Sequence, residues 1–254
     1  MRAELGVDVF DQSQPVGHDC SVGQRAHFVG GRHVAHETLT IYDHGALPGH
    51  MGSKGITCEG LPTGRTDLIK NGKLVGLLSS FYETARILRD PSAKEKLGVA
   101  PEDYPGALVP RNGFRYSGGG GRGFDMAPSV SATNVFIESA EKKTREDLLR
   151  HVQNGVYIGR IWYTYPINGL RAGDFTATVV GDSYVIKDGK LATPIKANTI
   201  RINDNIHHVL RNITGITGKG KGIVAWAADE VVYAPEIALS RLTLNEIAGY
   251  MESL

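Results

Sequence analysis

Leu68-Ile69-Lys70-Asn71-Gly72-Lys73-Leu74 and Val185-Ile186-Lys187-Asp188-Gly189-Lys190-Leu191 use one device twice. Asn-Gly and Asp-Gly accept positive φ at both central positions of a two-residue turn, so each segment is read as a type I′ hairpin between apolar strands. A chain that returns on itself this tightly builds antiparallel sheet. The likeness of the two segments is compatible with an internal duplication, but turn chemistry alone produces it.

Working outward, Thr38-Leu39-Thr40-Ile41-Tyr42 is β-branched and aromatic and reads as a strand that begins near His33 and turns at Asp43-His44-Gly45. Tyr157 to Tyr165 reads as one long aromatic strand. A second strand, Gly173 to Val180, follows the polar turn at Asn168-Gly169. Three amphipathic helices are predicted as covers on the sheet. The first runs from Leu77 to Arg89 with Phe81, Ala85 and Leu88 on one stripe. The second opens at a Thr144/Asp147 capping box and is stopped by Gly155. The third is capped by Asp204, with Ile206, Val209, Leu210 and Ile213 at helical spacing. Residues 93–122 are the least regular stretch. The expected fold class is α+β, a predominantly antiparallel sheet with a few covering helices. A poorly patterned segment, 1–32, precedes one domain over 33–254.

The 254 residues carry 28 Lys+Arg against 27 Asp+Glu, a net charge of +1, so neither a uniformly basic nucleic-acid binder nor a polybasic membrane protein is expected. The 32 glycines are well above the ordinary share of about 7% and imply many turns. Two cysteines, Cys20 and Cys58, exclude a disulfide scaffold. No apolar run approaches the roughly 18 residues of a spanning helix, and the acidic N-terminus is unlike a signal peptide. A cytoplasmic location is expected.

Six of the nine histidines lie in the first fifty residues: His18, His27, His33, His36, His44 and His50. His36-Glu37 begins like a zinc-peptidase helix, yet no second histidine follows at the needed spacing, and the next residues are strand formers. Solvent-facing or hydrogen-bonded histidines are the favoured reading. Gly118 to Gly121 could cradle a phosphate, but no Walker or dinucleotide pattern accompanies it. The aromatic pair of strands offers either a groove for an extended peptide or a buried sheet centre.

Gly155-Val156-Tyr157-Ile158, Asn168-Gly169-Leu170, Gly173-Asp174-Phe175-Thr176, Gly181 and the Ile186 to Lys190 hairpin leading to Pro194 follow one another in an order that resembles the C-terminal half of the TldD/PmbA family. Its members are called peptide maturation proteins, modulators of DNA gyrase or metallopeptidases. Asp67 to Gly76 and Ala132 to Ile137 are similar to two earlier family blocks. The resemblance covers about Thr38 to Leu244 and implies a domain that pairs with a second subunit around a cavity where unfolded peptides are cleaved.

In the family's catalytic subunits a His-Glu-x-x-x-His helix and a C-terminal cysteine hold zinc. This chain begins downstream of where that helix is expected, and Ala225 or its neighbours stand where the cysteine is expected, within Gly222 to Trp226. The resemblance therefore implies no catalytic residue, metal or cofactor of its own. It implies a homodimer or a heterodimer with a TldD/PmbA-type subunit, and contact with unfolded peptide. Tyr157, Trp162, Tyr163, Tyr165, Asn168, Asp174 and Phe175 are the expected peptide- or partner-binding residues. A free-standing small-molecule or phosphate-binding module using Gly118 to Gly121 is the alternative. Because side chains alternate along a strand, Tyr163 and Tyr165 are expected to share one face with Tyr157 and Ile161, with Ile158 and Trp162 on the other.

Overall fold

The computed structural model describes residues 31–97, 99–103, 105–116, 123–141, 143–169, 172–218, 220–224 and 230–247. His18, His27, most of the N-terminal segment, Gly118 to Gly121 and Ala225-Trp226 lie outside them. The first elements are β1 (Leu39–His44), β2 (Arg65–Lys70), β3 (Lys73–Leu74), α1 (Phe81–Leu88), α2 (Ala93–Leu97), β4 (Gly113–Phe114), β5 (Ser129–Val130) and β6 (Asn134–Ser139). There follow α3 (Arg145–Val152), β7 (Gly155–Tyr157), β8 (Ile161–Pro166), β9 (Asp174–Val179), β10 (Tyr184–Lys187), β11 (Lys190–Pro194), β12 (Ile200–Asn205) and α4 (Ile206–Arg211). The chain ends with β13 (Ile213–Ile216), β14 (Lys221–Val224), β15 (Val231–Ala234), β16 (Ile237–Leu239) and β17 (Leu244–Glu246). The fold is α+β, and its strands pair almost throughout as antiparallel neighbours.

Two compact units divide the described residues. The first holds residues 31–143 and 215–237, and its frame is a six-stranded sheet in the order β14-β15-β6-β1-β2-β3. β15 runs parallel to β6, with Val231 opposite Asn134, while the other neighbours are antiparallel. Cross-strand aromatics tie this sheet together. Tyr42 stacks on Phe136 at 5.0 Å, Phe136 on Tyr233 at 4.6 Å, and the Arg65 guanidinium lies 3.7 Å over the Tyr42 ring. Burial, with the hydrogen bond that the Tyr42 hydroxyl donates to Glu138, pushes the Tyr42 phenol up to about 12. A second cluster packs Leu97, Ala107 and Leu108 with Leu77 and Ile87, so the stretch read as least regular has short helices and a core of its own.

The other unit holds residues 144–214 and 238–247, with a three-stranded sheet β11-β10-β7 and a four-stranded sheet β17-β12-β9-β8. Ala177, Val179 and Ile202 form the core under the second sheet, with Ile158, Phe175, Ile200, Leu242 and Leu244 around them.

Both hairpins form as read. Asn71 and Gly72 have φ of 49° and 74°, Asp188 and Gly189 have 51° and 71°, and Lys70 faces Lys73 as Lys187 faces Lys190. The capping box at Thr144 and Asp147 is present too.

Local readings failed where tertiary partners intervene. β1 continues through His44, because Asp43 and His44 pair with Thr66 and Arg65. The first helix begins at Phe81 rather than Leu77. Ser80 caps it by accepting from the Glu83 N–H, and Glu59, distant in sequence, accepts from the N–H groups of Phe81 and Tyr82 at 2.8 and 3.2 Å. Its Phe81 and Leu88 are exposed, and Ile87 makes the core contact instead. The second helix ends on Gln153, at φ 60°, and Gly155 opens β7. The third is capped by Asn205, whose Oδ1 accepts from the His207 N–H at 2.9 Å, and Ile213 belongs to β13.

Candidate aromatic binding face

The long aromatic strand expected over Tyr157 to Tyr165 is two strands in two sheets. Gly159 sits so close to the Asp182 carbonyl that a Cβ has no room, and its N–H donates to Ser183 Oγ at 3.2 Å. The chain leaves β7 there and re-enters as β8. Tyr157 thus pairs with Tyr184 in the three-stranded sheet, whereas Trp162, Tyr163 and Tyr165 lie on the edge strand of the four-stranded one.

β8 also carries an extra residue. Trp162 pairs with Thr178 and Tyr165 with Thr176, so three steps on β8 match two on β9. This bulge places Tyr163 at φ 50°, in the left-handed region. It also reverses the expected alternation: Trp162 and Tyr165 share the face of Thr176 and Thr178, opposite the core residues Ala177 and Val179. Tyr163 joins them, edge-on to Trp162 at 5.4 Å and stacked with Tyr165 at 6.0 Å. Trp162, Tyr163 and Tyr165 are 54%, 61% and 50% exposed, which decides between a buried sheet centre and a surface. Ile161 and Ile167 extend this exposed apolar edge.

Across the same outward face, Thr178 pairs with Arg201 and Thr176 with Asn203. Arg201 in turn faces Asn245, whose Oδ1 accepts from Asn203 Nδ2 at 2.8 Å. The face therefore grades from aromatic at the β8 edge to polar at β12. These β12 residues were missed, although the alternation Ile200-Arg201-Ile202-Asn203 is the signal that would have found them.

Phe175 packs with the core on the inner side. Asn168 and Asp174 stand together at the end of the β8 and β9 pair. Asp174 accepts from Asn205 Nδ2 at 2.8 Å and from Asn168 Nδ2 at 2.9 Å, and these two bonds hold its carboxyl below the ordinary carboxylate range. Nearby Asp204 feels burial pushing its carboxyl up, but the N–H groups of Thr243 and Asn205 outweigh it and the net shift is downward.

The histidines in the described residues do other work. His36 Nδ1 lies 2.9 Å from Thr38 Oγ1, and His50 packs edge-on against Phe136 and Tyr233. Burial and the neighbouring Arg65 hold His44 below its ordinary value. Among the described residues no three His, Cys, Asp or Glu side chains converge to hold a metal ion, so these residues do not fit the zinc of the family's catalytic subunits. No helix among them is long and apolar enough to cross a membrane.

Residues 27–246 match the family model described as the PmbA/TldA metallopeptidase C-terminal domain. Among curated relatives, the chain is 31% identical over 186 residues to metalloprotease slr0863 of Synechocystis sp., covering 73% of this chain and 33% of that protein. It is 28% identical over 170 residues to the metalloprotease TldD homolog of Buchnera aphidicola, covering 67% and 29%. The chain thus spans about a third of the length of these relatives. TldE from Thermococcus kodakarensis shares the fold at a TM-score of 0.61 and 18% identity, over 85% of this chain and 41% of that one. The family model spans most of the chain and the fold agrees with it, and the chain belongs to the TldD/PmbA family, matching its metallopeptidase C-terminal domain.

Proposed function

We propose that this metallopeptidase-related chain takes part in peptide processing, with the outward face of the four-stranded sheet meeting an unfolded peptide or a TldD/PmbA-type subunit, as homodimer or heterodimer. The carrying observation is the β8 edge. Three clustered, solvent-facing aromatics combine apolar area with a bulged strand that is the edge of its sheet among the described residues, the combination that accepts an extended segment. Asn168 and Asp174 fix the end of that strand, Phe175 holds it from beneath, and Tyr157 acts from the neighbouring sheet. Hydrolysis does not belong to these 254 residues alone in this reading, because they contain no His-Glu-x-x-x-His run and the described ones gather no ligand set. The name TldE of a fold neighbour and the metalloprotease names of longer relatives support a role within a larger peptidase system.

The test pairs capture with cleavage. Crosslinking to unfolded casein and to a TldD/PmbA-type subunit is compared for the wild type, the Tyr163→Ser/Tyr165→Ser double variant and Trp162→Ser, each checked for folding. Casein cleavage is assayed with and without the partner. Loss of capture or association in the folded variants supports the reading. Unchanged capture and association in both variants, or cleavage by this chain alone with bound zinc, removes it.

A further inference from the structure

The chain has four Asn-Gly pairs, beginning at Asn71, Asn112, Asn154 and Asn168. A glycine has no Cβ to keep its peptide nitrogen away from the preceding side chain, so that nitrogen can reach the asparagine Cγ. In a folded protein the attack needs a glycine nitrogen free to approach the asparagine Cγ, and burial or regular backbone pairing denies it that freedom.

Three of the pairs are held. The Gly72 N–H donates to Leu39 O at 2.9 Å, inside a hairpin whose two central residues have positive φ. Asn112 is fully buried, and its Nδ2 donates to Asp43 Oδ2 at 2.7 Å and to Ser131 O at 3.0 Å. Asn154 Oδ1 accepts from the Asp188 N–H at 3.3 Å, and Gly155 is paired opposite Ile186 in β7. The fourth differs. Asn168 and Gly169 are both exposed just beyond the end of β8, and Gly169 has φ of 81° with open space where a Cβ would stand. Among the described residues the side chain of Asn168 has one tie, from Nδ2 to Asp174 Oδ2 at 2.9 Å.

We infer that Asn168 is a site of spontaneous deamidation in the folded protein, and that the other three Asn-Gly pairs are protected by the fold. The Gly169 nitrogen, giving up its proton to solvent, bonds to Asn168 Cγ as the Cγ–Nδ2 bond breaks. Nδ2 takes up a proton and leaves as ammonia. Water then opens the cyclic imide, at Cγ to give aspartate or at the main-chain carbonyl carbon to give isoaspartate. The net change replaces an amide with a carboxylate and consumes one water. Nδ2 is the donor to Asp174, so its loss puts two carboxylates where a hydrogen bond had been, at the turn that joins β8 to β9. The unit would then carry a chemical clock at the end of its aromatic strand.

The experiment uses the intact protein, incubated at neutral pH and 37 °C (about 310 K), with the chain unfolded in denaturant as the control. Cleavage after arginine puts the four pairs in separate peptides, 66–86, 112–115, 151–160 and 161–171. In the native sample peptide 161–171 gains about 1 Da with time while the other three keep their mass; in the unfolded sample all four gain it. The inference is overturned if peptide 161–171 of the native protein holds its mass while the unfolded control converts, or if another of the four converts as fast in the native state.

Discussion

Asp43 and Thr133, ninety positions apart, are locked together in the interior: Asp43 Oδ1 accepts the Thr133 N–H at 2.6 Å, and the Thr133 hydroxyl lies 2.9 Å from both carboxylate oxygens. Asn112 Nδ2 donates to the same carboxylate at 2.7 Å, and Asp43 is 1% exposed. Asp43→Ala leaves these donors buried without an acceptor, at a cost of about 3 kcal/mol or more, read as a lower midpoint in denaturant. Burial raises the Asp43 carboxyl above its ordinary value, with the Thr133 and Asn112 bonds opposing. The folded chain therefore binds this proton more tightly than the unfolded chain, and that contribution to stability fades as pH rises through the raised value.

Tyr42 gives an alkaline counterpart. Its phenol moves from 10.0 to about 12 on folding, so its contribution is fully present below pH 10 and is lost as pH climbs toward about 12. Tyr42→Phe should flatten that part of the stability profile, measured by denaturant titration across the range.

The hairpin glycines should not respond equally. A Cβ on Gly72 would stand 2.6 Å from Ala35 O and 2.8 Å from His36 O, while one on Gly189 would meet Arg150 Cα at 3.1 Å. Both have positive φ, worth about 1–2 kcal/mol against a side chain. Gly72→Val adds a backbone clash and should be the more damaging by about 1–3 kcal/mol. Gly55→Ala, in open space, should leave the melting temperature unchanged.

At the start of α3, Asp147 accepts from the N–H and hydroxyl of Thr144 and pairs with Arg150, and these partners bring its carboxyl down to about 2. Stabilisation from Asp147 is present above pH 3.8 and lost as pH falls toward about 2. Thr144→Ala should reduce both the melting temperature and this acid sensitivity.

What was legible in the sequence was what short range decides. Asn71-Gly72 and Asp188-Gly189 fix their own backbone, and Thr144 with Asp147 satisfies its own helix end, whatever lies elsewhere. The aromatics of β8 were visible as a group, but their faces were misassigned, because one extra residue reverses a period of two. The break at Gly159 arises from the approach of Asp182 and Ser183, and the start of α1 depends on Glu59; neither partner is marked in the local sequence. The Asp43 network was equally invisible, since its partners come from β1, the segment before β4 and the residue preceding β6.

The parallel pairing of β15 with β6 bears on how the protein is made. Residues 144–214 lie between these strands along the chain, yet Lys143 is bridged to Thr217 and the Gly218 N–H donates to Lys143 O at 3.0 Å. The excursion therefore departs and returns at one doorway. A ribosome releases β6 long before β15, so one margin of the host sheet waits open until the excursion has been synthesised. Closure entropy grows only logarithmically with loop size, so the length of the excursion adds little to the cost of closing that doorway. The excursion does not finish with its return: residues 238–247 belong to the same unit, and β17 completes the four-stranded sheet against β12, so that sheet gains its last strand only after the host sheet has received β15.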